Sequence, residues 1–126
     1  MNKQISPAEL EQRVTQIMTY AGIPTHLKGY HYLREAILIS GQDMITLTSV
    51  TKLLYPPIAK RYNTTEQKVE RSIRNAIEIS WLRGNINAFE HLFGSSSVSG
   101  RQRPTNREYI YGFADKIRSD IREPFL

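Results

Sequence analysis

The stretch from Ile58 to Gly84, IAKRYNTTEQKVERSIRNAIEISWLRG, places the tightest limits on how this chain can fold. It reads as a short helix, a tight turn and a long helix. Thr64 suits an N-cap, and Gln67 stands three residues on, the T-x-x-Q spacing of a capping box. Val69, Ile73, Ala76 and Ile77 follow the i, i+4, i+7, i+8 pattern of one buried stripe. At roughly 100° per residue, the opposite face carries Gln67, Lys68, Glu70, Arg71, Arg74, Asn75 and Glu78. Gly84 suits the C′ position, and Arg83 complements the negative end of the helix dipole. Upstream, Pro56 and Pro57 open a short helix over Ile58 to Tyr62, since proline is tolerated in a first turn. Asn63 falls where the turn wants a positive φ. The spacing Ala59, Asn63, Val69 matches a helix-turn-helix: a small residue, a turn residue, a buried branched residue. In that motif the second helix enters the major groove of DNA.

Two readings of the polar face stand side by side. Many amphipathic helices carry such residues as a solvated face, and many helical hairpins imitate the spacing. The residue types here also suit base edges: Arg pairs with guanine, Asn with adenine, and Glu accepts from cytosine N4. The candidates for bases are Glu70, Arg71, Arg74 and Asn75. Thr65, Gln67 and Lys68, at the start of the helix, are candidates for the phosphate backbone.

Charge agrees with a polyanionic partner without requiring one. Over 126 residues the formal net charge is +5, and the sequence pI is about 9.6. The length suits a single domain with its own core. Cysteine is absent, which excludes disulfides and thiol chemistry and fits a cytoplasmic location. No apolar run approaches the roughly 20 residues of a membrane span, and the polar start lacks a signal-peptide core.

The flanking segments supply the scaffold. A first helix spans Ser6 to Tyr20, with Ser6, Pro7 and Glu9 as its start and Leu10, Val14, Ile17 and Met18 as its stripe; Gly22 and Pro24 end it. A second runs from about Thr25 to Ser40 and is closed by Gly41; Leu27, Tyr30, Leu33, Ile37 and Leu38 are its apolar face. A third, short helix spans Thr46 to Tyr55 with Leu47, Val50, Leu53 and Leu54 inward, until Tyr55-Pro56-Pro57 breaks it. Tyr30, Tyr32 and Tyr55 suit core or rim packing more than stacking on bases. Asn85 to Phe93 reads as one more short helix, and Gly94 to Gly100 as a flexible loop. Arg101, Arg103 and Arg107 follow, either solvated or aimed at phosphates beside the long helix. The last helix begins near Thr105, with Thr105 and Glu108 as a capping box. Ile110, Phe113, Ala114, Ile117 and Ile121 form its stripe, and Pro124 ends it. No convincing strand, internal repeat or second domain appears, so the expected class is all-α, one domain over residues 1–126.

Catalytic patterns are missing. There is no Gly-rich phosphate loop, no G-x-S-x-G and no H-E-x-x-H. His26 and His31, five residues apart, share no helical face and have no third ligand, so neither a metal nor any cofactor is expected. The chain is expected not to be an enzyme.

Six blocks carry a family resemblance: IPTHLKGYHYLREAI (Ile23 to Ile37), TKLLYPPIAKRYNTT (Thr51 to Thr65), VERSIRNAIEISWLRGNI (Val69 to Ile86), LFG (Leu92 to Gly94), RPTNREYI (Arg103 to Ile110) and ADKIR (Ala114 to Arg118). They closely resemble the C-terminal effector domain of the response regulator that initiates sporulation in endospore-forming Bacillota. The resemblance implies a compact six-helix domain that binds double-stranded DNA at a TGTCGAA-like core. It implies head-to-tail pairing of two copies on tandem sites, and activation or repression through contact with the sigma subunit of RNA polymerase. Glu70 and Arg71 match the family's base-facing pair, with Arg74 at a base or nearby phosphate. Gly84 and Phe93 lie in the blocks associated with polymerase contact. Asn75 stands where well-known members have His, so that base preference does not carry over. The receiver domain usual in the family is not among these 126 residues, so the expectation is either an excised effector domain or a stand-alone version, and phosphorylation control is not carried over to these residues. The expectation is a cytoplasmic, nucleoid-associated transcription regulator. The alternative is a helical interaction adaptor whose basic face binds an acidic protein without reading sequence.

Overall fold

Ser6 opens the first helix much as its residue type demands. Its Oγ accepts the Glu9 N–H at 3.1 Å and Pro7 fills the first helical position, so α1 runs Pro7–Tyr20. In the computed structural model, residues 6–83, 90 and 103–122 are described. Helix α1 stops at Gly22, which takes φ 76°. The Gly22 N–H reaches Thr19 O at 3.0 Å and the Ile23 N–H reaches Met18 O at 3.3 Å, the paired bonds of a Schellman motif.

Helix α2 (Lys28–Gln42) starts later and ends later than its sequence pattern indicates. A turn through Pro24 delays it, with the Leu27 N–H on Pro24 O at 3.5 Å. Gly41 does not close it: Gly41 is buried inside the helix, and Asp43 is the C-cap. The Gly41 carbonyl, near the helix end where acceptors lack partners, takes a bond from Arg118 Nη1 at 3.1 Å.

The single helix expected from Thr46 to Tyr55 is three pieces. A 3-10 segment spans Met44–Thr48, α3 is one turn over Val50–Leu53, and Tyr55 is the first residue of α4 (Tyr55–Arg61). Side chains that compete with the backbone explain the break. Asp43 accepts the Ile45 N–H at 3.1 Å, Thr46 Oγ1 donates to Asp43 O at 2.7 Å, and Thr48 Oγ1 donates to Ile45 O at 2.7 Å. Leu53, expected inward, is 41% exposed, whereas Leu47, Val50 and Leu54 are buried. The prolines do not break a helix here; they sit in the first turn of α4, where no intrahelical N–H is needed.

Helix α5 (Glu66–Arg83) buries Val69, Ile73, Ala76 and Ile77, the full stripe read from the sequence. Helix α6 (Asn106–Arg122) buries Ile110, Phe113, Ala114 and Ile117, and Tyr109 beside them. Thr105 and Glu108 form the expected capping box: the Thr105 N–H donates to Glu108 Oε1 at 2.9 Å and the Glu108 N–H to Thr105 Oγ1 at 3.1 Å.

The core lies where α2 packs between α5 and α6, with α1 laid across α2 and α6. Gly29 permits a close approach of α2 to α5. A Cβ there would fall on the Ser72 backbone, 2.7 Å from its carbonyl carbon, and 2.9 Å from the Ala76 Cβ. Across the core, Ser80 Oγ donates to the Ala21 carbonyl at 3.1 Å. Its single proton is thereby occupied, so the Tyr109 hydroxyl donates to Ser80 Oγ at 2.8 Å. Burial pushes the Tyr109 phenol well above its ordinary range, against the pull of the Ser80 bond.

All regular structure among the described residues is helical, with five helices of seven residues or more besides the single turn α3. That is one short of the six implied by resemblance. The helix expected at Asn85 to Phe93, the loop Gly94 to Gly100, the cap at Gly84, the Ile121 side chain and the stop at Pro124 lie outside the described residues. No helix among those described is long and apolar enough to cross a membrane.

Candidate nucleic-acid interface

Helices α4 and α5 are joined by the turn Tyr62 to Thr65, and Asn63 takes φ 51° within it. This is a second Schellman closure, with Asn63 N–H on Lys60 O at 3.3 Å and Thr64 N–H on Ala59 O at 2.9 Å. Thr64 is therefore the closing residue of α4, not the cap of α5. The cap is Thr65, whose Oγ1 accepts the Lys68 N–H at 3.2 Å. The T-x-x-Q box through Gln67 does not form, because the register starts one residue later.

With its stripe buried, α5 turns the other side to solvent. Gln67, Lys68, Arg71, Arg74, Asn75 and Glu78 are exposed, and Glu70 is half-buried. Arg74 Nη2 pairs with Glu70 Oε2 at 3.2 Å, one turn apart on the same helix. Arg71 lies at the middle of this face and has no hydrogen bond or ion pair among the described residues. Of the four residues matched to bases, Arg71 and Asn75 are thus open, while Glu70 and Arg74 hold each other.

The arginines after the loop fall in different places. Arg103 Nη1 lies 3.4 Å from the Arg74 carbonyl and 3.4 Å from Glu78 Oε2, so it sits against the flank of α5. Arg107 Nε donates to the Leu47 carbonyl at 2.8 Å, which ties α6 to the 3-10 segment. Arg101, Gly84 and Phe93 lie outside the described residues. On α4, exposed Lys60 adds a cation beside the turn, and Arg61 pairs with Glu35 at 3.0 Å. A basic last turn is visible in the sequence, but the Glu35 partner, from α2, is not.

Beneath the face, Asn106 Nδ2 donates to the Tyr55 hydroxyl at 3.0 Å and to the Glu70 backbone carbonyl at 3.1 Å. Burial raises the Tyr55 pKa from its ordinary 10.0; the Asn106 bond pulls it down, while Glu70 raises it and Arg74 lowers it. No pattern in the sequence points to Asn106 or Tyr55, because their partners are distant along the chain. Tyr30, Tyr32 and Tyr55 are all buried, as core packing requires. His26 and His31 are exposed, and no group of three or more potential metal ligands occurs among the described residues.

The geometry at α4 and α5 is that of a helix-turn-helix with a polar, cationic second helix. A family model described as the sporulation initiation factor Spo0A C terminal matches residues 14–117. The chain belongs to this family. The match begins within α1 and ends within α6, so it takes in the whole of α2, α4 and α5. The domain is thus a sporulation initiation factor domain.

Proposed function

We propose that this domain is a sequence-specific binder of double-stranded DNA that regulates transcription and has no catalysis of its own. Helix α5 enters the major groove. Glu70, Arg71, Arg74 and Asn75 meet base edges, while Thr65, Gln67, Lys68, Arg101 and Arg103 are assigned to the phosphate backbone, together with the guanidinium N–H groups of Arg107 that its Nε bond to the Leu47 carbonyl leaves over. The observation that carries the proposal is Arg71, exposed and without a partner among the described residues, at the centre of the outward face of α5. A buried stripe opposite a free guanidinium is what groove reading requires. The finer assignments come from the family resemblance: a TGTCGAA-like element, two copies on tandem sites about 10 bp apart centre to centre, and a polymerase sigma contact near Gly84 and Phe93.

The test is titration of the domain with a TGTCGAA duplex and with a scrambled duplex over a range of salt. Cognate binding should exceed random binding by orders of magnitude. With roughly four to six phosphate contacts, log K should fall against log salt with a slope near −4 to −5. Equal affinity for both duplexes refutes sequence reading and returns the basic face to an acidic protein partner.

A further inference from the structure

We infer that Asn106 is a positioning residue for the reading face: its side-chain amide joins both helices of the motif and sets how Glu70 and Arg74 meet a base pair. The inference rests on the DNA reading proposed above and deepens it.

The geometry is specific. The amide has two N–H donors; one goes to Tyr55 on α4 at 3.0 Å and the other to the Glu70 carbonyl on α5 at 3.1 Å. In the helical ladder that carbonyl also serves the N–H of Arg74, four residues on. The amide therefore grips α5 at the turn whose outer side chains are the Glu70–Arg74 pair. Tyr55 is only 5% exposed, so little water can substitute at its hydroxyl. Asn106 is itself held. It is the first residue of α6, directly after the Thr105 cap, and Tyr109 and Phe113 anchor that helix in the core with ring centroids 4.8 Å apart. The path runs from core to α6, from α6 through one amide to α4 and α5, and from there to the outward pair. A recognition site must be held to about half an ångström to read a base, and such support comes from groups behind the face.

Asn106→Asp tests this at constant shape. The carboxylate has no N–H to give and faces the Glu70 carbonyl with like partial charge. Cognate affinity should fall about tenfold or more, and discrimination should flatten at the base pairs that Glu70→Ala also flattens. Affinity for scrambled duplex and the salt slope should not move. The double variant Asn106→Asp/Glu70→Ala should discriminate no worse than Glu70→Ala alone. Tyr55→Phe, which keeps the grip on Glu70, should lose no more than about threefold. Near-ultraviolet circular dichroism and urea melts check folding. If Asn106→Asp does not fold, Asn106→Ala carries the same comparison. Uniform weakening on all duplexes, or additive loss in the double variant, assigns Asn106 a merely structural role and overturns the inference. If the unmodified domain prefers its cognate duplex and Arg71→Ala flattens that preference at one guanine, yet Asn106→Asp keeps full discrimination, the inference alone fails. If the unmodified domain shows no preference, the DNA reading fails and takes the inference with it.

Discussion

Helices α5 and α6 are built from similar material and use their arginines differently. Both are long, 18 and 17 residues, and both bury an apolar stripe against α2. On α6, Arg107 and Arg118 reach neighbouring backbone: the Leu47 carbonyl at 2.8 Å and the Gly41 carbonyl at 3.1 Å. On α5, neither Arg71 nor the Arg74 side chain reaches another element among the described residues: Arg71 has no partner there, and the Arg74 guanidinium pairs with Glu70 on its own helix. The same side chain is a tie in one helix and an available donor in the other. Charge alone cannot separate these roles; what lies across from the guanidinium does.

The inner faces should be equivalent, and their loss should be the largest effect. Ile73→Ala in α5 and Phe113→Ala in α6 each empty a fully buried site. They should destabilise by about 2–5 and about 3–5 kcal/mol, read as urea midpoints. A cost under about 1 kcal/mol at either site would show that one helix is docked loosely.

Next comes the seat of α5 on α2. Gly29→Ala puts a methyl group onto the Ser72 carbonyl and against the Ala76 Cβ. The expected cost is about 1–3 kcal/mol in thermal or urea unfolding, through overpacking. An unchanged midpoint would mean that α2 and α5 separate more easily than their contact implies.

The outer faces should then part company. Arg71→Ala should lose about 1–3 kcal/mol of cognate binding and flatten preference at one guanine, with stability unchanged within about 0.5 kcal/mol. Arg118→Ala should do the reverse, losing about 1 kcal/mol of stability with its bond to Gly41 and leaving discrimination intact. Paired binding curves and melts decide it. Stability loss in Arg71→Ala together with full discrimination would reverse the assignment.

The smallest effect separates two adjacent threonines. Thr65→Ala should cost about 1 kcal/mol of stability, since Thr65 is the cap of α5, and Thr64→Ala much less. Equal costs would place the start of α5 at the earlier residue.

Local chemistry made much of this legible in advance. The stripe of α5, the Ser6 cap, the Thr105–Glu108 box and the positive φ of Asn63 each depend on residues within a turn or two, so spacing reveals them. The base-reading candidates on α5 were equally readable, because a buried stripe dictates which side chains remain outside. Elsewhere spacing misled. The leucine pattern from Thr46 to Tyr55 suits a helix, but Asp43, Thr46 and Thr48 bind the backbone locally and divide it. Gly41 resembles a helix stop, yet packing against α1 and the Arg118 bond carry α2 past it.

The amino-acid order alone settled that the chain is helical, which stripes of the long helices turn inward and which side chains α5 leaves in solvent, because periodicity and capping act over a few residues. Packing decided the rest. Arg107 and Arg118 reach carbonyls 60 and 77 residues away, and Asn106 spans to Tyr55 and Glu70 at separations of 51 and 36. No local pattern encodes such partners. A donor's role depends on which acceptor the fold brings within about 3 Å, and only the packed core brings those acceptors into reach.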